Sequence, residues 1–83
     1  MTPQELERVL LQRLGPVTNV PVVVADVTKL NLDHRVAFVM RFIDAISTID
    51  DILDVSGIPR VDVLRILDYL VTNRLVQMHD RAP

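Results

Sequence analysis

The side chains able to do chemistry are few, and their spacing decides against most of it. Asp44, Asp50, Asp51 and Asp54 form the densest group of carboxylates. Asp50 and Asp54 stand one helical turn apart and share a face, whereas Asp51 follows Thr48 by the spacing of an N-terminal capping pair. Acid–base catalysis needs carboxyls in contrasting environments, and a surface acidic patch is the plain reading of this run. His34 and His79 lie far apart and the chain has no cysteine, so neither an imidazole pair nor a thiolate set has metal-ligand spacing. Ser47 and Ser56 fall at helix ends, where serine caps and turns. Gly15 and Gly57 are the only glycines, too few for a phosphate-cradling loop. We therefore expect no enzyme active site, no metal and no cofactor.

The arginines raise a different chemistry. Arg60 and Arg65 open a helix that follows a glycine-bearing turn, and Arg74 follows its end. Such residues read guanine or hold phosphates in DNA-binding helices. Asp62 and Asp68 interrupt them, however, and the formal net charge is −2, from nine Lys and Arg against eleven Asp and Glu. Phosphate neutralisation supplies most non-specific affinity for DNA, and this face offers little of it. Arg35 and Arg41 would make an anion contact, but Asp33 capping a helix that starts at His34 explains that cluster equally well.

These residues must be held by elements the pattern specifies well. Leu6, Val9, Leu10 and Leu14 recur at helical spacing between Pro3 and Leu14, with Gly15-Pro16 as the stop. The β-branched stretch from Val17 to Ala25 reads as a strand, pushed to an edge by Pro21. Asp33 opens a helix over 34–46 whose Val36, Phe38, Val39, Phe42, Ile43 and Ile46 predict a broad buried face. Thr48 with Asp51 caps a short helix over 49–55, with Ile49, Ile52, Leu53 and Val55 as its apolar set and Gly57 as its left-handed end. Pro59 begins the next helix, which runs to Thr72. Leu75 to Met78 reads as a strand whose expected mate is Val20 to Val24.

One domain of 83 residues that is 49% hydrophobic and 4% aromatic holds more aliphatic side chains than so small a body buries. The excess predicts an apolar patch, the usual mark of a partner or self-association site. Met1 to Glu5 is acidic and polar rather than basic and apolar, and no apolar run approaches a bilayer span. Those features lead us to expect a cytoplasmic protein that does not engage membrane.

The stretch Ser47 to Val76, "STIDDILDVSGIPRVDVLRILDYLVTNRLV", resembles the helix-turn-helix half of winged-helix domains. A wider stretch, "LNLDHRVAFVMRFIDAISTIDDILDVSGIPRVDVLRILDYLV", is similar to short bacterial modules that commonly sit beside signalling and receiver domains. That resemblance covers about half the chain and implies a fold more than a function. The chain departs from it twice. Ala45 stands where those modules usually carry a glycine after the "ID" pair, and Asn73-Arg74 stands where they usually carry one after the last helix. Asn73, which tolerates the left-handed conformation, is the expected helix end.

The sequence thus predicts a mainly α, winged-helix-like helix-turn-helix domain over 17–83 with a minimal two-stranded sheet. An extra N-terminal amphipathic helix over 1–16 precedes it. The expected function is a non-enzymatic regulatory module that binds another protein or itself, with a homodimer as the expected self-associated form. Its partner-binding residues would be Leu6, Leu10, Leu14, Val61, Ile66 and Tyr69, with Arg60 and Arg65 giving orientation. The alternative is a DNA-binding transcriptional regulator using helix 59–72 through Arg60, Arg65 and Arg74; nucleic acid is the disfavoured partner.

Overall fold

A computed structural model describes residues 2–28 and 30–80. Among them the chain forms four helices and one two-stranded antiparallel sheet, in the order α1 (Pro3–Leu14), β1 (Val20–Val23), α2 (His34–Met40), α3 (Ile49–Val55), α4 (Arg60–Thr72) and β2 (Val76–His79). No helix among them is long and apolar enough to cross a membrane.

Local chemistry sets most of the boundaries. Thr2 caps α1 by accepting from the Glu5 amide at 3.2 Å. Gly15, at φ +89°, turns the chain while its N–H bonds to Leu11. The capping box expected at α3 is present in both directions: the Asp51 amide donates to Thr48 Oγ1 at 3.1 Å, and the Thr48 amide donates to Asp51 Oδ2 at 3.0 Å. Gly57 takes φ +70° after α3, as that turn requires.

The core lies where all four helices meet. Leu10 and Leu14 of α1, Val39 of α2, Ile49, Ile52 and Leu53 of α3, and Val63, Leu64 and Leu67 of α4 form one buried cluster. α4 is the hub, with α1 packed along it and α2, α3 and β2 on its other sides. Its apolar residues occupy a continuous stripe because Val63, Leu64, Leu67, Leu70 and Val71 follow the helical repeat.

The strands pair as expected. Val20 stands opposite His79, Pro21 opposite Met78, Val22 opposite Gln77 and Val23 opposite Val76. The Val24 amide donates to the Leu75 carbonyl at 2.9 Å, so even-numbered residues of β1 and odd-numbered residues of β2 point their backbone groups at each other. Pro21 therefore falls at a position whose N–H would point away from β2, and its missing donor costs the ladder nothing.

The second helix differs from expectation. It ends at Met40 rather than continuing to Ile46, because the following amides bond three residues back: Arg41 to Phe38, Phe42 to Val39 and Ile43 to Met40. Asp44 then draws the chain into a turn, its carboxylate accepting from the Ile46 amide at 2.9 Å, the Ser47 amide at 2.7 Å and the Ser47 hydroxyl at 3.1 Å. Short polar side chains compete with the helix for backbone donors in this way. Off the helix, Ile46 is 79% exposed instead of buried. Phe38 is also partly exposed, its ring meeting Phe42 edge-to-face at 5.3 Å. Val55, expected in the apolar set of α3, is 62% exposed.

Among the described residues, the non-glycine positions with positive φ are Ala45 (φ +66°) and Arg74 (φ +60°). Arg74, not Asn73, is the left-handed residue that ends α4; Asn73 has φ −88°. The Arg74 amide donates to Val71 at 3.0 Å and the Leu75 amide to Leu70 at 2.9 Å, the paired bonds of a Schellman ending. Asn73 instead donates its side-chain amide to the Tyr69 carbonyl at 2.7 Å.

Candidate interaction surface

The first determinant of this surface is where α1 lies. Arg60 Nε donates to Glu7 Oε1 at 2.7 Å, and Arg13 Nε donates to Asp68 Oδ1 at 2.8 Å. Two bridges that advance together along both helices mean that α1 and α4 lie side by side in the same direction. Each is solvent-exposed on one side and contributes at most about 1 kcal/mol; the apolar residues beneath them hold the pair together. Leu10 and Leu14 are buried in the core, and Leu6 packs against it.

That placement changes the expected site. Leu10 and Leu14 are withdrawn from the surface and cannot meet a partner while the domain stays folded. Leu6 and Ile66 are half-buried against the core and Val61 is half-buried, so these three supply at most the edges of a contact. Tyr69 is 49% exposed and Arg65 is exposed. Arg60 is tied back to Glu7. Sequence periodicity gave Leu6, Leu10 and Leu14 one sticky face but carried no information on what that face would meet.

The remaining free side of α4 opens onto the start of α2. There Asp33, Arg35, Val36, Asp62, Arg65 and Ile66 line a groove of about 180 Å³. Val36 and Ile66 are its apolar members, with two carboxylates and two guanidiniums around them. Tyr69 lies one turn beyond Arg65 on α4. At its rim the Asp33 carboxylate caps α2 by accepting from the Arg35 amide at 2.8 Å. The groove is smaller than the 300 Å³ or so at which small-molecule sites begin, and its four charges cancel.

The arginines of the DNA-reading alternative are not brought together. Arg60 and Arg65 are five residues apart, about 140° around the helix, and Arg60 faces α1 while Arg65 faces α2. Arg74 sits beyond the helix end, beside β2. Among the described residues no group of three His, Cys, Asp or Glu side chains gathers closely enough to hold a metal ion. Asp26 and Asp44 are held below the usual carboxylate range. Thr28, through its hydroxyl and then its amide, does this for Asp26; the Ser47 and Ile46 amides do it for Asp44. Both serve loop turns.

Sequence reasoning expects helix 34–46 to pack across the helix-turn-helix of 48–72, but it did not single out Asp33, Arg35 and Val36 as side chains sharing a groove with α4, and it missed the exposure of Ile46 and Val55. The groove depends on how the start of α2 seats against α4, and the exposure of Ile46 on the early end of α2. No protein-family model matches this chain, and no curated protein or solved structure matches it either.

Proposed function

We propose that this domain is a non-enzymatic, regulatory protein-interaction module, winged-helix-like in layout, that docks a protein partner on the side of α4 facing α2. One observation carries the reading: the free side of α4 combines exposed Tyr69 with a charge-balanced groove floored by Val36 and Ile66. Aromatic and arginine side chains around a small apolar centre suit a protein surface. A polyanion would meet Asp33 and Asp62 beside each arginine.

The layout has its own support. Ala45 and Arg74, the two left-handed non-glycine residues, are the positions at which this chain departs from the glycines of the bacterial modules it resembles. The backbone there takes the course a glycine would favour. A cytoplasmic, signalling-associated role belongs to the same proposal.

Ile66→Asp is not a clean test, because Ile66 packs on the core. Arg65→Glu combined with Tyr69→Ala changes only exposed side chains. Immobilised wild type should retain a protein that the double variant loses, with unchanged far-UV circular dichroism. Anisotropy of a labelled mixed-sequence duplex should show no binding at about 50 mM or about 200 mM salt. Micromolar duplex binding that collapses at the higher salt would replace this reading with the transcription-factor one.

A further inference from the structure

Arg13 bridges to Asp68 and Arg60 to Glu7, and Arg35 and Arg65 share their groove with Asp33 and Asp62. Arg74 has different company. It borders a hollow of about 420 Å³ whose other lining residues are Val24, Val71, Val76, Gln77 and Met78. Arg74 is exposed, makes no ion pair among the described residues, and is the one charged side chain in that lining. Val76 is buried, so the accessible apolar wall is Val24, which is 45% exposed, with half-buried Val71 and Met78.

The turn that presents Arg74 is fixed, and it is costly for this residue type. The Arg74 amide bonds to Val71 and the Leu75 amide to Leu70, which holds Arg74 at the end of α4. That ending sets φ at +60°, where an L-residue is crowded and glycine is not. Gly57 meets the same demand with no side chain, at φ +70°. A long cationic side chain kept at a strained position, with no carboxylate beside it, points to a role outside the fold.

The chemistry of the lining selects the ligand. A guanidinium binds a carboxylate through paired N–H···O bonds, the Gln77 carboxamide adds a neutral donor, and the aliphatic wall suits a branched apolar body. The volume falls in the range of small-molecule sites, about 300–1,000 Å³, which the groove beside α4 does not reach. A polyphosphate would find a single cation there, and a wholly apolar ligand would leave Arg74 unused. We propose that this hollow binds a free, short aliphatic carboxylate, with Arg74 and Gln77 on the carboxylate and Val24, Val71 and Met78 around its hydrocarbon. This goes beyond the docking surface, whose tested residues Arg65 and Tyr69 do not line the hollow, so either assignment can fail without the other.

The test is two-dimensional NMR of isotopically labelled protein titrated with 4-methylpentanoate. Amide signals of Val71, Arg74, Gln77 and Met78 should shift and saturate with a Kd of about 1 mM or below. The neutral isostere 4-methylpentanamide should bind at least about tenfold more weakly. Arg74→Gly should lose binding by a similar factor while the domain becomes more stable, so the loss cannot come from unfolding. Arg74→Lys should fall between, because it keeps the charge without the planar fork. Gln77→Glu, a change at an exposed position, should also lose binding, by setting a like charge against the ligand. No saturable shift up to about 20 mM acid overturns the proposal. So do equal binding of acid and amide, shifts confined to other surfaces, or full binding by Arg74→Gly. A glycine-rich peptide ending in leucine carries the same carboxylate and side chain; tighter binding of that peptide than of the free acid overturns the assignment to a small molecule.

Discussion

Ala45→Gly should make this domain more stable, against the usual direction of a change to glycine. Ala45 sits at φ +66° in the turn that Asp44 organises between α2 and α3. An L-residue in that region costs about 1–2 kcal/mol, because its Cβ crowds the following carbonyl. Glycine removes this cost but adds about 0.4–1 kcal/mol of unfolded-state entropy. At mid-range the balance is a gain of about 0.8 kcal/mol, which raises Tm by about 3–6 °C in a domain of this size. Arg74→Gly, at φ +60°, should give a similar gain. Gly57 supplies the converse. It has φ +70° and a Cβ there would meet nothing within 4 Å, so Gly57→Ala should lose about the same amount through the backbone alone. Urea unfolding followed by circular dichroism gives all three values on one scale, and the two gains should add if the sites are independent. An Ala45→Gly protein no more stable than wild type would refute the reasoning, most directly if Gly57→Ala were also neutral.

Three further outcomes follow from the packing and the caps. Leu14→Ala should cost about 2–5 kcal/mol, since Leu14 is buried in the shared core; a loss under about 0.5 kcal/mol in thermal unfolding would mean that α1 detaches in solution. Gly15→Ala should cost about 2–3 kcal/mol: it adds left-handed strain and drives a methyl into the buried Asn19 amide, which donates to the Leu14 carbonyl. The matching control, Asn19→Ala with Gly15 intact, separates the lost hydrogen bond from the strain. Asp44→Asn should be less stable than wild type at neutral pH, and the gap should close on acidification. The folded-state pKa of Asp44 is depressed by the Ser47 and Ile46 amides, so its contribution is present above the unfolded value near 3.8 and disappears as pH falls through the lower folded value. Chemical unfolding at a series of pH values between about 2 and 6 measures this directly, and a gap that persists at the acid end would show that the carboxylate charge is not what matters.

Much of the architecture was legible because local chemistry decides it. Thr48 and Asp51 specify a helix start through their own hydrogen bonds, and Asp33 does the same for α2. Gly57 supplies a turn that few other residues take, and Pro21 marks a strand with one edge it cannot use. The β-branched run at Val20 and the short apolar stretch from Leu75 to Met78 were recognisable as mates because two short strands in so small a chain have few other partners. The end of α2 was not legible. Its apolar spacing continues through Ile46, and only the contest between helical bonds and the Asp44 turn, settled in the folded chain, stops it at Met40.

The surface was decided by tertiary structure alone. An amphipathic pattern states that Leu6, Leu10 and Leu14 must be covered, and it is silent on whether α4 or another molecule covers them. Packing of α1 along α4 answers that, takes Arg60 out of play through Glu7, and leaves Arg65 and Tyr69 beside α2. Composition likewise showed an aliphatic excess without locating it; the fold places part of it at Ile46 and Val55. Backbone parity in the sheet is the same kind of fact. Which residues of β2 turn their backbone groups toward β1 follows from the register, a long-range pairing that no local spacing encodes.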